Sequence, residues 1–291
     1  MKIYYKKETY LTKYIESSQE TSFFKEPGFM EKIGFKTTIY PDIYFHTGAL
    51  NSHSKTMIEN SKVTIINSGI LKDVLVDKLA VQSNKIKVIY PAVESSKFKK
   101  KEAKEEFYKE HGLSKDIKIV YFTAKNFKKA GFTSYCDIIT KLECKNFKAV
   151  VSTKDDKEKD FALDVLKHFN LQDDVLIVEE EIFKIADIFL LPTSFANFSI
   201  NVVKAMASKC IAFVPESNYA VELVDVFSIM KDVNDSNTAY KIDMLLRVND
   251  ELKKIQKENY DVGKKLTYEY QEKKLNKILE ELREEVVKKE D

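Results

Sequence analysis

Two periodicities alternate along this chain. Short apolar runs such as Val63–Asn67, Ile117–Phe122, Ile188–Leu191 and Ile211–Val214 are too short for helices and read as buried strands. Between them, apolar residues recur every three or four positions. Leu71, Val74, Leu75 and Leu79 share one face of a helix over Ile70–Ala80. Before residue 92 the pattern predicts further strands at Lys2–Tyr5, Gly34–Tyr40, Ile43–Thr47 and Lys85–Tyr90, and helices at Thr9–Ser18 and Asn51–Asn60. After residue 116 it adds strands at Ala149–Ser152, Val175–Val178 and Phe227–Met230. Helices are predicted over Thr133–Leu142, Glu158–Phe169 and Tyr219–Val224, with a helical turn at Glu180–Ile185. Strand–helix alternation of this kind builds parallel sheets.

The segment 94–115, ESSKFKKKEAKEEFYKEHGLSK, breaks the pattern. It is charged and poor in apolar residues. Because glutamates interleave its lysines, it reads as a solvated linker helix ending at Gly112 rather than a membrane or polyanion patch. From Asn237 onward the chain is helical and highly charged, and Leu275, Ile278, Leu279 and Leu282 form an apolar seam that must dock on something. The predicted architecture is α/β with two Rossmann-like lobes. Residues 1–92 form a reduced N-terminal lobe, 93–265 a second lobe with 93–115 as linker, and 266–291 a terminal helix packing back toward the first. A ligand is expected in the cleft between them.

The most informative stretch is Ala186–Ala212, read as strand, loop, helix and strand. Pro192 closes the first strand, Thr193–Asn197 is polar, and Ser199 stands where an N-cap belongs, ahead of a helix with Ile200, Val203, Met206 and Ala207 on one face. The free N–H groups of such a helix end attract anions at the carboxyl edge of a sheet.

Composition narrows the function. With 48 basic and 46 acidic residues the net charge is +2, which argues against general nucleic-acid binding. There is no run long and apolar enough to span a membrane and no apolar leader after MKIYYKKETY, so a cytoplasmic protein is expected. Cys136, Cys144 and Cys210 have no metal-ligand spacing and read as reduced thiols. Only 7 glycines occur, with neither a dinucleotide fingerprint nor a P-loop among them. No metal and no cofactor is expected.

Four blocks in order resemble the retaining glycosyltransferases of the GT-B fold, group 1 or family 4: SKVTIINSGILKDVL, NKIKVIYPAVESSKF, KIVYFTAKNFKKAG and ADIFLLPTSFANFSINVVKAMASK. The resemblance implies transfer of a sugar from a UDP- or GDP-linked nucleotide-sugar, as substrate, to a glycan or lipid-linked acceptor. It implies a donor side in the second lobe and an acceptor side in the first. It also carries over Lys125, Lys128 and Lys129 as a grip on the diphosphate, with Asn197 and Ser199 at the helix start, and His46 in YFHTG as the catalytic histidine of the cleft. Two glutamates that the family uses to hold the donor are replaced here by Ala196 and Lys204; a buried Lys204 would instead bind phosphate. Glu216 and Glu222 are candidates to replace a lost glutamate, and Asp187 reads as a structural turn residue. Three functions stay open: the enzyme, a catalytically inactive scaffold or partner subunit, and a module that only binds nucleotide or phosphate. A protein partner completing the short N-terminal lobe and peripheral membrane contact stay open as well.

Overall fold

The computed structural model describes residues 1–18, 21–25, 40–95 and 98–290, with side chains described as far as Glu284. The strand expected over Gly34–Tyr40 falls, except for Tyr40, outside the described residues. The chain divides into two compact units, Met1–Ala92 with Tyr268–Asp291, and Val93–Thr267.

The first unit is built on a parallel sheet. Its strands are β1 (Lys2–Tyr5), β2 (Ser22–Phe23), β3 (Ile43–Phe45), β4 (Val63–Ile66) and β5 (Ile86–Val88), in the spatial order β2-β1-β3-β4-β5. Helices α1 (Tyr10–Glu16), α2 (Ser52–Asn60) and α3 (Gly69–Leu79) connect them. Each has a side-chain cap that fixes its start: Thr9 accepts from Thr12 N–H, Asn51 from Ser54 N–H, and Ser68 from Leu71 N–H. The last helix of the chain, α11 (Tyr268–Glu290), belongs to this unit. Leu275, Ile278, Leu279 and Leu282 are buried with Ile3, Leu11, Ile15, Ile43, Phe45 and Ile65 in one apolar core. The Tyr10 and Tyr268 rings stack at 3.7 Å beside that seam.

The second unit has six parallel strands among its described residues: β6 (Lys118–Thr123), β7 (Phe147–Ser152), β8 (Val175–Val178), β9 (Ile188–Leu190), β10 (Ile211–Pro215) and β11 (Ile229–Met230). Their order is β11-β10-β9-β6-β7-β8. The chain therefore builds outward from β6 to one side, returns, and builds outward from β9 to the other. Helices, among them α6 (Phe132–Thr140), α7 (Asp156–His168) and α9 (Asn237–Arg247), cover both faces, which is why β6, β9 and β10 are nearly continuous apolar runs. The Tyr219–Val224 helix proves to be a short 3₁₀ turn, Tyr219–Leu223.

The expected linker is not a solvated helix. Helix α4 (Lys100–Glu110) buries Phe107 and Tyr108 in the core of the second unit. Two of its lysines, Lys100 and Lys104, turn inward at the amino edge of the sheet. Lys100 Nζ donates to the carbonyls of Ala186 (2.5 Å) and Lys209 (2.7 Å). Lys104 Nζ meets Asp187 Oδ2 at 2.5 Å, and the same oxygen accepts from Ile119 N–H at 2.9 Å. Burial alone would raise the Asp187 carboxyl, but Lys104, Lys100 and the Ile119 N–H hold it below the usual range. The three cysteines are free, and burial pushes Cys136 and Cys210 up to about 12, so neither is a poised nucleophile.

Candidate functional site

In the second unit the strand order reverses between β6 and β9. Such a reversal leaves a crevice at the carboxyl ends of the strands, the usual ligand position in an open parallel sheet.

The loop after β6 carries Lys125, Lys128 and Lys129, all exposed. It contains a one-turn helix, α5 (Phe127–Ala130), that the sequence pattern does not reveal. Three contacts hold its shape. Asn126 Oδ1 accepts from Lys129 N–H at 2.8 Å, Glu158 Oε2 accepts from Phe127 N–H at 2.7 Å, and the Phe127 ring is buried against Phe122 and Phe132. The turn ends at Gly131, whose φ of +84° is open to glycine. An added Cβ there would lie 1.8 Å from the carbonyl oxygen of Pro192, in the loop after β9. The two loops therefore touch backbone to backbone. Thr193 Oγ1 strengthens the join by donating to the Lys129 carbonyl at 3.3 Å.

Beyond Thr193 the loop runs through exposed Phe195, Ala196 and Asn197 into α8 (Ile200–Ala207). Asn197 is held from the loop after β10: its carbonyl accepts from Tyr219 N–H at 3.0 Å, and buried Asn218 reaches its side chain at 3.4 Å. Asn201 Nδ2 donates to the Thr123 carbonyl at 3.0 Å, tying the first turn of α8 to the end of β6. Behind it, α10 (Asn249–Gly263) crosses so closely that a Cβ on Gly263 would stand 2.6 Å from Ala207 N. The helix start is thus fixed by the loop after β10 and the end of β6, its far end is packed against α10, and no acidic residue occupies its first turn.

Several sequence expectations change here. Ser199 occupies the N-cap position, but its hydroxyl makes no capping bond. Lys204 is not buried. Its side chain is 33% exposed and its ammonium donates to both carboxylate oxygens of Glu181 at 2.7 Å, over the ring of Phe183. Its charge is already matched, so it is no spare cation for phosphate. Glu181 went unnoticed in the sequence; the run Glu179–Glu181 directly after β8 was the available signal. Glu216 and Glu222 are exposed in the segment after β10. The contacts at Gly131, Pro192 and Thr193 set the loop that carries Lys125, Lys128 and Lys129 against the loop that carries Asn197 and Ser199. Lys204 lies one turn further along α8.

His46 belongs to the first unit, just after β3, beside the reversal of that sheet between β1 and β3. It is 1% exposed. Its Nδ1 lies 3.2 Å from the Tyr44 hydroxyl, and Nε2 has no hydrogen-bond partner among the described residues. Burial, assisted by the Lys6 ammonium, pulls its pKa down to about 4, so the ring is neutral at pH 7. Among the described residues no cluster of three or more His, Cys, Asp or Glu could hold a metal ion, and no helix is long and apolar enough to cross a membrane.

The chain matches no family model and no curated protein. Its fold is that of GT-B glycosyltransferases. A glycosyltransferase from Rickettsia africae superposes with a TM-score of 0.69 at 15% identity, over 82% of this chain and 70% of that one. HepE of Anabaena in complex with UDP gives 0.69 at 12% identity, over 82% and 72%. WaaG, a glycosyltransferase involved in lipopolysaccharide biosynthesis, gives 0.65 at 10% identity, over 91% and 79%.

Proposed function

We propose that the second unit holds the diphosphate of a nucleotide-sugar at the β6–β9 reversal. We further propose that the chain transfers the sugar, with retention and using lysines rather than a metal, to a glycan or lipid-linked acceptor. One observation supports this most: the basic loop and the loop leading to α8 are locked together at Gly131 and Pro192 where the strand order reverses. Lys125, Lys128 and Lys129 would counter the charge that develops on a departing diphosphate, and the N–H groups at Ser199–Asn201 would add the positive end of α8. His46, neutral and beside the reversal of the other sheet, would serve as a hydrogen-bonding group rather than as a cation. A narrower reading, nucleotide binding without transfer, is favoured by Ala196, which offers a sugar no polar group, and by Lys204, which is committed to Glu181.

UDP is the first ligand to try, since HepE of Anabaena holds it on the same fold. UDP or GDP at a hundred times its Kd should stabilise the second unit by about 2.7 kcal/mol and raise its Tm by roughly 5–10 °C. Lys125→Ala or Lys129→Ala should shrink that shift. No shift with either nucleotide at millimolar concentration would sink the proposal. Release of glucose from UDP-glucose, with or without acceptor, separates the enzyme from the binding module.

A further inference from the structure

The pair formed by Glu181 and Lys204 is a built feature of the carboxyl edge, and it presents chemistry that the lysines of the basic loop lack. We infer that Glu181, held in place by Lys204, accepts hydrogen bonds from a vicinal diol: the 2′ and 3′ hydroxyls of a ribose whose 5′-phosphates lie at the start of α8. This rests on the nucleotide-binding reading above and deepens it.

Glu181 is fixed before any ligand arrives. Lys204 Nζ donates to both of its oxygens at 2.7 Å. The next residue, Ile182, gives its N–H to the hydroxyl of buried Tyr121 at 3.3 Å, and that hydroxyl shares a 2.5 Å hydrogen bond with Ser152 Oγ at the end of β7. Phe183 then packs edge-on against Tyr121 at 5.1 Å and Phe189 at 5.2 Å, and its ring lies 5.7 Å from the Lys204 ammonium. Backbone and side chain are therefore both anchored to the sheet.

The carboxylate keeps capacity to spare. Two oxygens offer about four acceptor sites, and Lys204 occupies two of them. The Glu181 side chain is 49% exposed, so the others face solvent. An ammonium only donates and cannot take a proton from a hydroxyl donor; a carboxylate can. Lys204 also neutralises Glu181, so the acid can stand beside a diphosphate without repelling it.

The spacing agrees. Lys204 follows Ser199 by five residues, about 7.5 Å along the axis at 1.5 Å per residue. Helical side chains lean back toward the N-terminus, which shortens the gap.

The test uses the full chain and compares each ribonucleotide with its deoxy counterpart, UDP with dUDP and GDP with dGDP, by calorimetry. The wild-type protein should bind the ribonucleotide about tenfold or more tightly, the discrimination that a hydrogen bond to a charged group supplies. Glu181→Gln should bring the two within about twofold. Lys204→Gln, which frees the carboxylate from its anchor, should reduce the ratio while leaving Glu181 charged. A merely structural ion pair would alter both affinities together and leave the ratio alone. If the wild-type protein binds UDP or GDP but Glu181→Gln keeps its ribose preference, this inference is wrong and nucleotide binding stands. If the wild-type protein binds no nucleoside diphosphate, both fall.

Discussion

Gly131 is the residue on which the candidate site turns. Its φ of +84° is left-handed, which costs a residue with a side chain about 1–2 kcal/mol, and a Cβ would meet the Pro192 carbonyl at 1.8 Å. That collision is with backbone, so no rotamer change relieves it. Gly131→Ala must force the basic loop away from the loop after β9. The expected loss is about 2–4 kcal/mol of stability, and with it the nucleotide protection, although every lysine is still present. Thermal unfolding with and without UDP measures both; normal protection in Gly131→Ala would show that the contact does not position the site. Sequence reading reached this glycine only as the end of a basic loop. It reached Lys204 but not its partner, since the two are 23 positions apart and only the fold brings the end of β8 against α8. A charge on a helix can be read from the chain; which opposite charge neutralises it cannot.

At the scale of elements, legibility followed burial. The strands of the second unit are covered on both faces, so their apolar runs are unambiguous, and the helices between them show one apolar side. Helix α4 defeated the same reasoning. Its lysines look like a solvent face, yet Lys100 and Lys104 carry their charges to carbonyls and a carboxylate at the sheet's amino edge. Long amphipathic side chains can do this, and residue type does not disclose it. Helix α5 escaped notice because a single turn has no period to detect. The seam of α11 was legible as apolar residues in need of a partner. Burying its four leucine and isoleucine side chains contributes roughly 6–12 kcal/mol, comparable with the whole stability of a domain. Truncation after Tyr268 should therefore unfold the first unit and give insoluble protein. A soluble truncated chain with cooperative unfolding and protected β3 and β4 amides would contradict that account.

Across the whole molecule, near-neutral net charge leaves the pH response to a few buried groups rather than to general repulsion. His46 dominates the mildly acidic range. Its pKa falls from about 6.5 in an unfolded chain to about 4 in the folded one, so between those values the unfolded state binds the extra proton. Stability is complete above pH 6.5, declines as the pH drops toward 4, and loses about 2–4 kcal/mol over that window. The aspartates act later. Asp42 and Asp187 both titrate below the usual carboxylate range, so the stability they contribute is present above about pH 4 and lost only as pH falls further. Hydrogen exchange of the β3 and β4 amides, corrected for intrinsic rate, should thus accelerate between pH 6.5 and pH 4.5, before any carboxylate effect. His46→Gln removes the titrating group. It should weaken the first unit at pH 7, because the contact with the Tyr44 hydroxyl is altered, and yet flatten the slope across this window. An unchanged slope in His46→Gln would mean that another group carries the acid sensitivity, and that the buried imidazole is protonated at little cost.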